Sequence, residues 1–172
     1  MFRKPELLTD HHQLFRFQSG KPSLDAFLLH VAMDSQRDGF ARTFVVADGE
    51  FNVAAYYALC GGTISRSEAP RQIAAHGAPK EVPVVLLARL AVDRRFQGLG
   101  LGTMLMHHAF SSAVAAAQTV GFRALMVHAL DAEAMKFYRK FGFRSVKNAE
   151  QTLLMSLQDA ARIIETVPRT GE

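Results

Sequence analysis

The sequence predicts an α/β fold: a central mixed, mostly antiparallel sheet with helices on both faces. Three observations carry this. Val82 to Val92 is an apolar run long enough for a buried strand, and it is followed by a polar turn, a glycine-rich stretch and a helix. Asp48-Gly49 separates two strand-like runs, a strong hairpin signal. A second pair of short runs, Phe143 to Val146 and Thr152 to Leu157, closes the chain as another hairpin. Strands and helices are interleaved, but the hairpins forbid a wholly parallel sheet.

Size and composition bound the answer. At 172 residues, the expectation is one domain spanning 1–172, with a core over 12–157 and a flexible or helical tail over 158–172. Hydrophobic residues make up 49% of the chain, which suits a packed globule and excludes a disordered one. No apolar run approaches the ~20 residues of a membrane helix. No signal-like segment follows the first residues, so a cytoplasmic protein is expected, with no membrane partner. Cys60 is the single cysteine, so no internal disulfide is available. The net charge of +4 is mildly basic and favours polyanions if it is clustered.

Taken in order, His12 to Phe17 alternates weakly and is expected to be the first strand. Gly20 to Ser23 breaks it, with Ser23 as helix cap. Leu24, Phe27, Leu28, Val31 and Ala32 recur at helical spacing, giving a helix to about Arg37 that Asp38-Gly39 ends. Thr43 to Ala47 and Phe51 to Cys60 form the first hairpin. Thr63 to Glu81 holds prolines, glycine and charges and is expected to be a long loop with a short helix at Pro70 to Ala75. The strand Val82 to Val92 then leads to a helix from Leu101 to about Val120, stopped by Gly121. Arg123 to Ala129 is the next strand. Asp131 caps a helix over Ala132 to Phe141, and Gly142 stops it.

The chemistry concentrates after Val92. Gln97-Gly98-Leu99-Gly100-Leu101-Gly102-Thr103 joins a strand to a helix. Glycines let successive backbone N–H groups point into one concavity, and the helix N-terminus adds unpaired donors and a positive dipole end. A diphosphate fits such a site. The spacing is not that of a dinucleotide fingerprint, and the lysine of a triphosphate loop is missing. Backbone N–H groups along Leu90-Ala91-Val92 are candidates for polarising a carbonyl.

Q-x-x-G-x-G after a strand ending Leu90-Ala91-Val92-Asp93 resembles motif A of the GNAT N-acetyltransferases. The resemblance implies the GNAT fold, acetyl-CoA as cosubstrate, and no metal. It implies cofactor contacts from Leu90, Ala91, Val92 and from Gln97, Gly98, Leu99, Gly100, Leu101, Gly102 and Thr103. The run from Ala134 to Phe143, A-x-x-F-Y-x-x-F-G-F, is similar to the family's last motif. There the tyrosine protonates the coenzyme A thiolate, which makes Tyr138 the expected general acid, with Asp131 and Phe137 as neighbouring cofactor contacts. An unperturbed phenol, pKa ~10, keeps its proton at neutral pH. No carboxylate holds an obvious base position; Glu68 and Glu81 remain candidates. A lysine amine, pKa ~10.4, needs substantial deprotonation, whereas an α-amine, ~7.7–8.0, is already partly neutral at pH 7. The pairs His11-His12 and His107-His108 lack metal-motif spacing and are expected to be surface or packing residues.

The resemblance narrows further. Phe17-Gln18-Ser19-Gly20 with Ser23-Leu24-Asp25-Ala26-Phe27-Leu28, then Arg42-Thr43-Phe44-Val45 and Ala55-Tyr56-Tyr57-Ala58-Leu59, resemble segments of the GNAT toxins of toxin–antitoxin modules. Ser19 stands where those toxins usually carry cysteine, Phe27 for tryptophan and Ala55 for glycine. The resemblance implies a toxin that acetylates the α-amino group of aminoacyl-tRNA and blocks translation. It also implies a homodimer, a ribbon-helix-helix antitoxin, and operator DNA bound through the antitoxin complex. Arg3, Lys4, Arg37, Arg42, Arg66, Arg71, Arg94 and Arg95 are candidate tRNA phosphate contacts; Arg94 and Arg95 border the loop and could serve coenzyme A instead. The alternatives are an acetyltransferase for a small amine or a protein N-terminus, and an acyl-CoA-binding regulator without turnover.

Overall fold

Apolar residues dominate the strands, and the sheet they form is mostly antiparallel. The computed structural model describes residues 1–166. Its strands are β1 (Glu6–Leu7), β2 (Arg42–Ala47), β3 (Val53–Ser65), β4 (Glu81–Val92), β5 (Ala124–His128), β6 (Arg144–Val146) and β7 (Ala149–Ser156). Their order is β1-β2-β3-β4-β5-β7-β6. The pairings β1–β2, β2–β3, β5–β7 and β6–β7 are all antiparallel. The helices are α1 (Pro22–Ala26), a π-helical turn (Phe27–Val31), α2 (Ala32–Arg37), α3 (Leu101–Ala116), α4 (Ala132–Phe141) and α5 (Leu157–Thr166). Among the described residues, no helix is long and apolar enough to cross a membrane. The end of the tail, 167–172, lies outside the described residues.

The backbone divides into two compact units: Met1–Cys60 with Leu87–Ala109, and Gly61–Leu86 with the chain from Phe110 onward. In the first, β1, β2 and the start of β3 pack with the helical segment 22–37. Its core joins Leu8, Phe17, Leu28, Ala32, Val45, Val53, Tyr56 and Ala91. Each such buried aliphatic side chain contributes about 1.5–3 kcal/mol of transfer free energy. Gln36 is buried and ties two elements together: its amide donates to Leu8 O at 2.8 Å, and its Oε1 accepts Thr43 N–H at 2.9 Å. In the second unit, Ile64, Ile73, Val82, Val84, Ala124, Met126, Val146 and Leu154 form a core under the β5–β7–β6 strands. Arg123 holds the 66–80 loop down, donating to Ile73 O at 3.1 Å and Gln72 O at 2.9 Å.

Several expectations change. Residues 12–17 are not a strand; a single bridge, Gln13 to Asn52, is all the pairing they make among the described residues. The edge strand lies earlier, at Glu6–Leu7, opposite Val45 and Phe44. His12 explains the displacement. Its buried ring takes the Thr9 N–H on Nδ1 at 3.0 Å and reaches Glu6 Oε1 through Nε2 at 3.0 Å, so the chain turns where alternation suggested extension. The first helix begins at Pro22, with Lys21 as cap residue, not at Ser23. Proline's fixed φ suits the first helical position, and Ser23 falls inside the turn.

The return strand β3 passes straight through Gly61-Gly62 to Ser65. A side chain on Gly62 would meet Leu86 and Val84 at 3.5 Å, so the sheet uses its small size for close packing. The Asp48–Asn52 turn is built by the Asp48 carboxylate, which accepts the Glu50 and Asn52 N–H groups at 2.9 Å. Its left-handed residue is Phe51 (φ 66°), not Gly49. The α4 limits are as expected, with Asp131 Oδ1 accepting Ala134 N–H at 2.9 Å and Gly142 at φ 108°.

Candidate active site

The end of β4 and the start of α3 lie in the first unit. Leu90, Ala91 and Val92 are the last residues of β4; Ala91 is buried in the core, and its neighbours are half-buried. Asp93 follows, its side chain only 1% exposed. Its carboxylate accepts four N–H bonds: from the Gln18 backbone at 3.1 Å, and from the Arg95 backbone at 2.9 Å and guanidinium twice at 3.0 Å. This starts the short 3₁₀ turn Arg94–Phe96. Burial alone would push the Asp93 carboxyl up. The bonds from Arg95 and Gln18 outweigh it, and the group sits below its ordinary range.

The sign of the linkage follows. A depressed folded pKa gives stability present above the unfolded value, ~3.9, and lost as pH falls through the folded value. Acid should therefore loosen this turn by protonating Asp93. Denaturant unfolding between pH 5 and pH 2 is expected to show a steeper loss for the parent chain than for Asp93→Asn. At neutral pH the same substitution costs roughly 1–3 kcal/mol, because amides at Gln18 and Arg95 lose a charged acceptor. Equal pH slopes for the two proteins would remove Asp93 from this role.

Gln97 closes the turn. Its side-chain amide donates to Val92 O at 3.0 Å and to Ser19 O at 3.1 Å. Gly98 (φ 79°) and Gly100 (φ 84°) then adopt left-handed backbone, and nothing lies within 4 Å of where a Cβ would project. Leu99 between them is 63% exposed, whereas Leu101 is buried and anchors the first turn of α3. Gly102 and Thr103 complete that turn, and Met104 N–H is the donor that reaches back to Gly100 O. The first amides of a helix have no intrahelical acceptor. Open space over two left-handed glycines, next to those amides, is what a diphosphate requires.

Tyr138 and Phe137 sit on α4 in the second unit, with Asp131 at its cap. The Tyr138 ring is 7% exposed and meets Phe137 at 5.4 Å and Phe143 at 5.7 Å, both edge-on. Burial pushes its phenol above the ordinary value, so it stays protonated through the neutral range.

The sequence matches the family model described as the acetyltransferase (GNAT) domain over residues 29–145. The chain belongs to the GNAT acetyltransferases. It is 38% identical, over 95% of its own length and 97% of the other, to a tRNA-acetylating toxin of Mycobacterium tuberculosis. The GNAT architecture overlays AtaT complexed with acetyl-methionyl-tRNAfMet with a TM-score of 0.86, at 30% identity, covering 95% of this chain and 99% of that one. It likewise overlays a mutant of AtaT bound to the C-terminus of the antitoxin AtaR and acetyl-CoA, with a TM-score of 0.80 at 30% identity, covering 96% and 99%. AtaT is also known with AtaR on DNA.

The basic residues of this GNAT chain differ in their commitments. Arg3 pairs with Glu6 and lies over the Phe51 ring, Arg37 pairs with Asp10, and Arg95 with Asp93. Arg42 donates to Gln36 O and Arg66 to Ala78 O. Lys4, Arg71 and Arg94 enter no ion pair among the described residues. Glu68 lies in the 66–80 loop and Glu81 opens β4, both exposed. His108 Nδ1 meets the Tyr57 hydroxyl at 2.7 Å, and burial lowers its pKa, which makes it a packing residue. Among the described residues no group of three His, Cys, Asp or Glu could hold a metal ion. The sequence reading passed over Asp93, Ser19 and Asp25 as site residues. Their signal was a set of short polar side chains flanking Gly20 (φ 91°) and the β4 end, which become partners only once the chain folds.

Proposed function

We propose that this chain is the toxin of a toxin–antitoxin module that transfers acetyl from acetyl-CoA to the α-amino group of aminoacyl-tRNA and thereby blocks translation. The observation that carries it is the open glycine turn at the N-terminus of α3, in a chain whose relative over nearly its full length is a tRNA-acetylating toxin. Bound acetyl-CoA supplies an activated acetyl thioester. The amides of Gln97 to Thr103 hold its diphosphate, and the Leu90–Val92 strand end orients and polarises the carbonyl. Asp131 and Phe137 flank the coenzyme. The amine nitrogen bonds the acetyl carbon, the carbon–sulfur bond breaks, the amine gives up a proton to water, and Tyr138 donates one to the departing thiolate.

No carboxylate holds an obvious base position, which favours an amine that is already partly neutral, and an aminoacyl α-amine meets that demand better than lysine. Lys4, Arg71 and Arg94, with charges to spare, and the paired arginines Arg3, Arg37, Arg42, Arg66 and Arg95 are the candidate tRNA phosphate contacts. The same reading includes a homodimer working in the cytoplasm, an antitoxin of the ribbon-helix-helix type, and operator DNA bound through that complex. Incubation with labelled acetyl-CoA and total charged tRNA is expected to put the label on the aminoacyl moiety, with salt-sensitive binding. Label found on free amines or protein N-termini and absent from charged tRNA would overturn it.

A further inference from the structure

We infer that Asp25 is a positioning residue for the acetyl-CoA loop, acting through Ser19 on Gln97; this rests on the loop being the diphosphate site. Gln97 is the residue that fixes where the glycine turn departs from β4, because one side-chain amide spans Val92 O and Ser19 O. The position of Ser19 is therefore part of the loop's geometry. Ser19 is itself held by one carboxylate: Asp25 Oδ1 accepts both its N–H at 2.9 Å and its hydroxyl at 2.6 Å. The same hydroxyl oxygen accepts Lys21 N–H at 3.1 Å, closing a small polar knot at the start of α1. Ser19 is 7% exposed, so its end of the knot is shielded from water, while Asp25 and Lys21 are half-buried.

Two further bonds tie Gln18 to the residues that follow β4. Gln18 N–H reaches Asp93 Oδ2 at 3.1 Å, and Arg94 N–H reaches Gln18 O at 2.8 Å. These hold Gln18, while Asp25 holds Ser19, the residue whose carbonyl Gln97 reads. A hydroxyl-to-carboxylate bond of this length is charge-assisted and stiff.

Asp25→Ala is expected to raise KM for acetyl-CoA, and its dissociation constant by calorimetry, about tenfold, because a preorganised site loses affinity when its supporting shell loosens. KM for charged tRNA and kcat should stay within about twofold, which a general loss of structure would not allow. Ser19→Ala should reproduce the effect and carries the test if Asp25→Ala does not fold; Ser19→Cys should fall between. Gln97→Ala should weaken acetyl-CoA binding too, and adding Asp25→Ala to it should cost nothing more. Unchanged acetyl-CoA affinity in folded Asp25→Ala or Ser19→Ala, or additive effects with Gln97→Ala, would overturn the inference. Failure of the underlying reading looks different. If Gly100→Val binds acetyl-CoA like the parent, the loop is not the site and the inference goes with it. If Gly100→Val loses binding while Asp25→Ala and Ser19→Ala keep it, the inference alone falls.

Discussion

Tyr138→Phe lowers acetyl transfer to charged tRNA by about 10²-fold or more, with acetyl-CoA affinity little changed. Phenylalanine keeps the ring and hence the edge contacts with Phe137 and Phe143, so α4 and its buried face should survive. Only the hydroxyl is lost, and with it the proton for the leaving thiolate. Burial holds that proton on the phenol well beyond neutrality, so Tyr138 serves as acid and not as base. The parent rate should therefore climb with pH as the substrate amine deprotonates near ~7.7–8.0, and ionisation of this phenol should impose no fall below about pH 10. Steady-state rates with labelled acetyl-CoA, beside calorimetry, check both parts. A fully active phenylalanine variant removes Tyr138 from the chemistry.

Gly100→Val should abolish acetyl-CoA binding at working concentrations, a loss of about 10²-fold or more if the loop amides are re-aimed. The cause is the backbone. At φ 84° a β-branched residue is strongly disfavoured, at a cost of roughly 1–2 kcal/mol. No neighbour lies within 4 Å of the added Cβ, so the folded chain meets strain but no collision. The melting temperature should fall by only about 2–8 °C, while binding collapses. Gly100→Asn, which tolerates left-handed backbone, should lose far less affinity. Calorimetric titration with acetyl-CoA against thermal unfolding separates the two effects. A valine variant that melts early yet binds normally would show that the loop is not the diphosphate site.

The parts of the fold that could be read in the sequence are those with local causes. Asp131 and Gly142 bracket α4 because a cap and a left-handed stop act within one turn of the helix. The β4–loop–α3 unit is legible for the same reason: an apolar run, two glycines that need positive φ, and a helix follow one another directly. What stayed hidden depends on side-chain partners that periodicity does not register. The buried His12 bonds Thr9 and Glu6, and no alternation pattern around it announces that turn. Gly61-Gly62 looks like a strand end, but the side chains of Val84, Leu86 and Met126 fill the space beside Gly62 and carry β3 onward. Asp93 looked like a turn residue; its isolation from water comes from Gln18 and Arg95, the first of them far away in sequence.

The widened turn at Phe27–Val31 has a bearing on how this chain tolerates length change. A π-turn holds one residue more than an α-turn spanning the same distance. Downstream of it, Gln36 must face both Leu8 and Thr43. Excising one residue between 27 and 31 would give a regular α-helix across the same span and leave the later side chains close to their present orientation. Gln36 would still reach Leu8 and Thr43. The extra residue is thus a bulge that absorbs length, and variants shortened by one residue there should keep the fold.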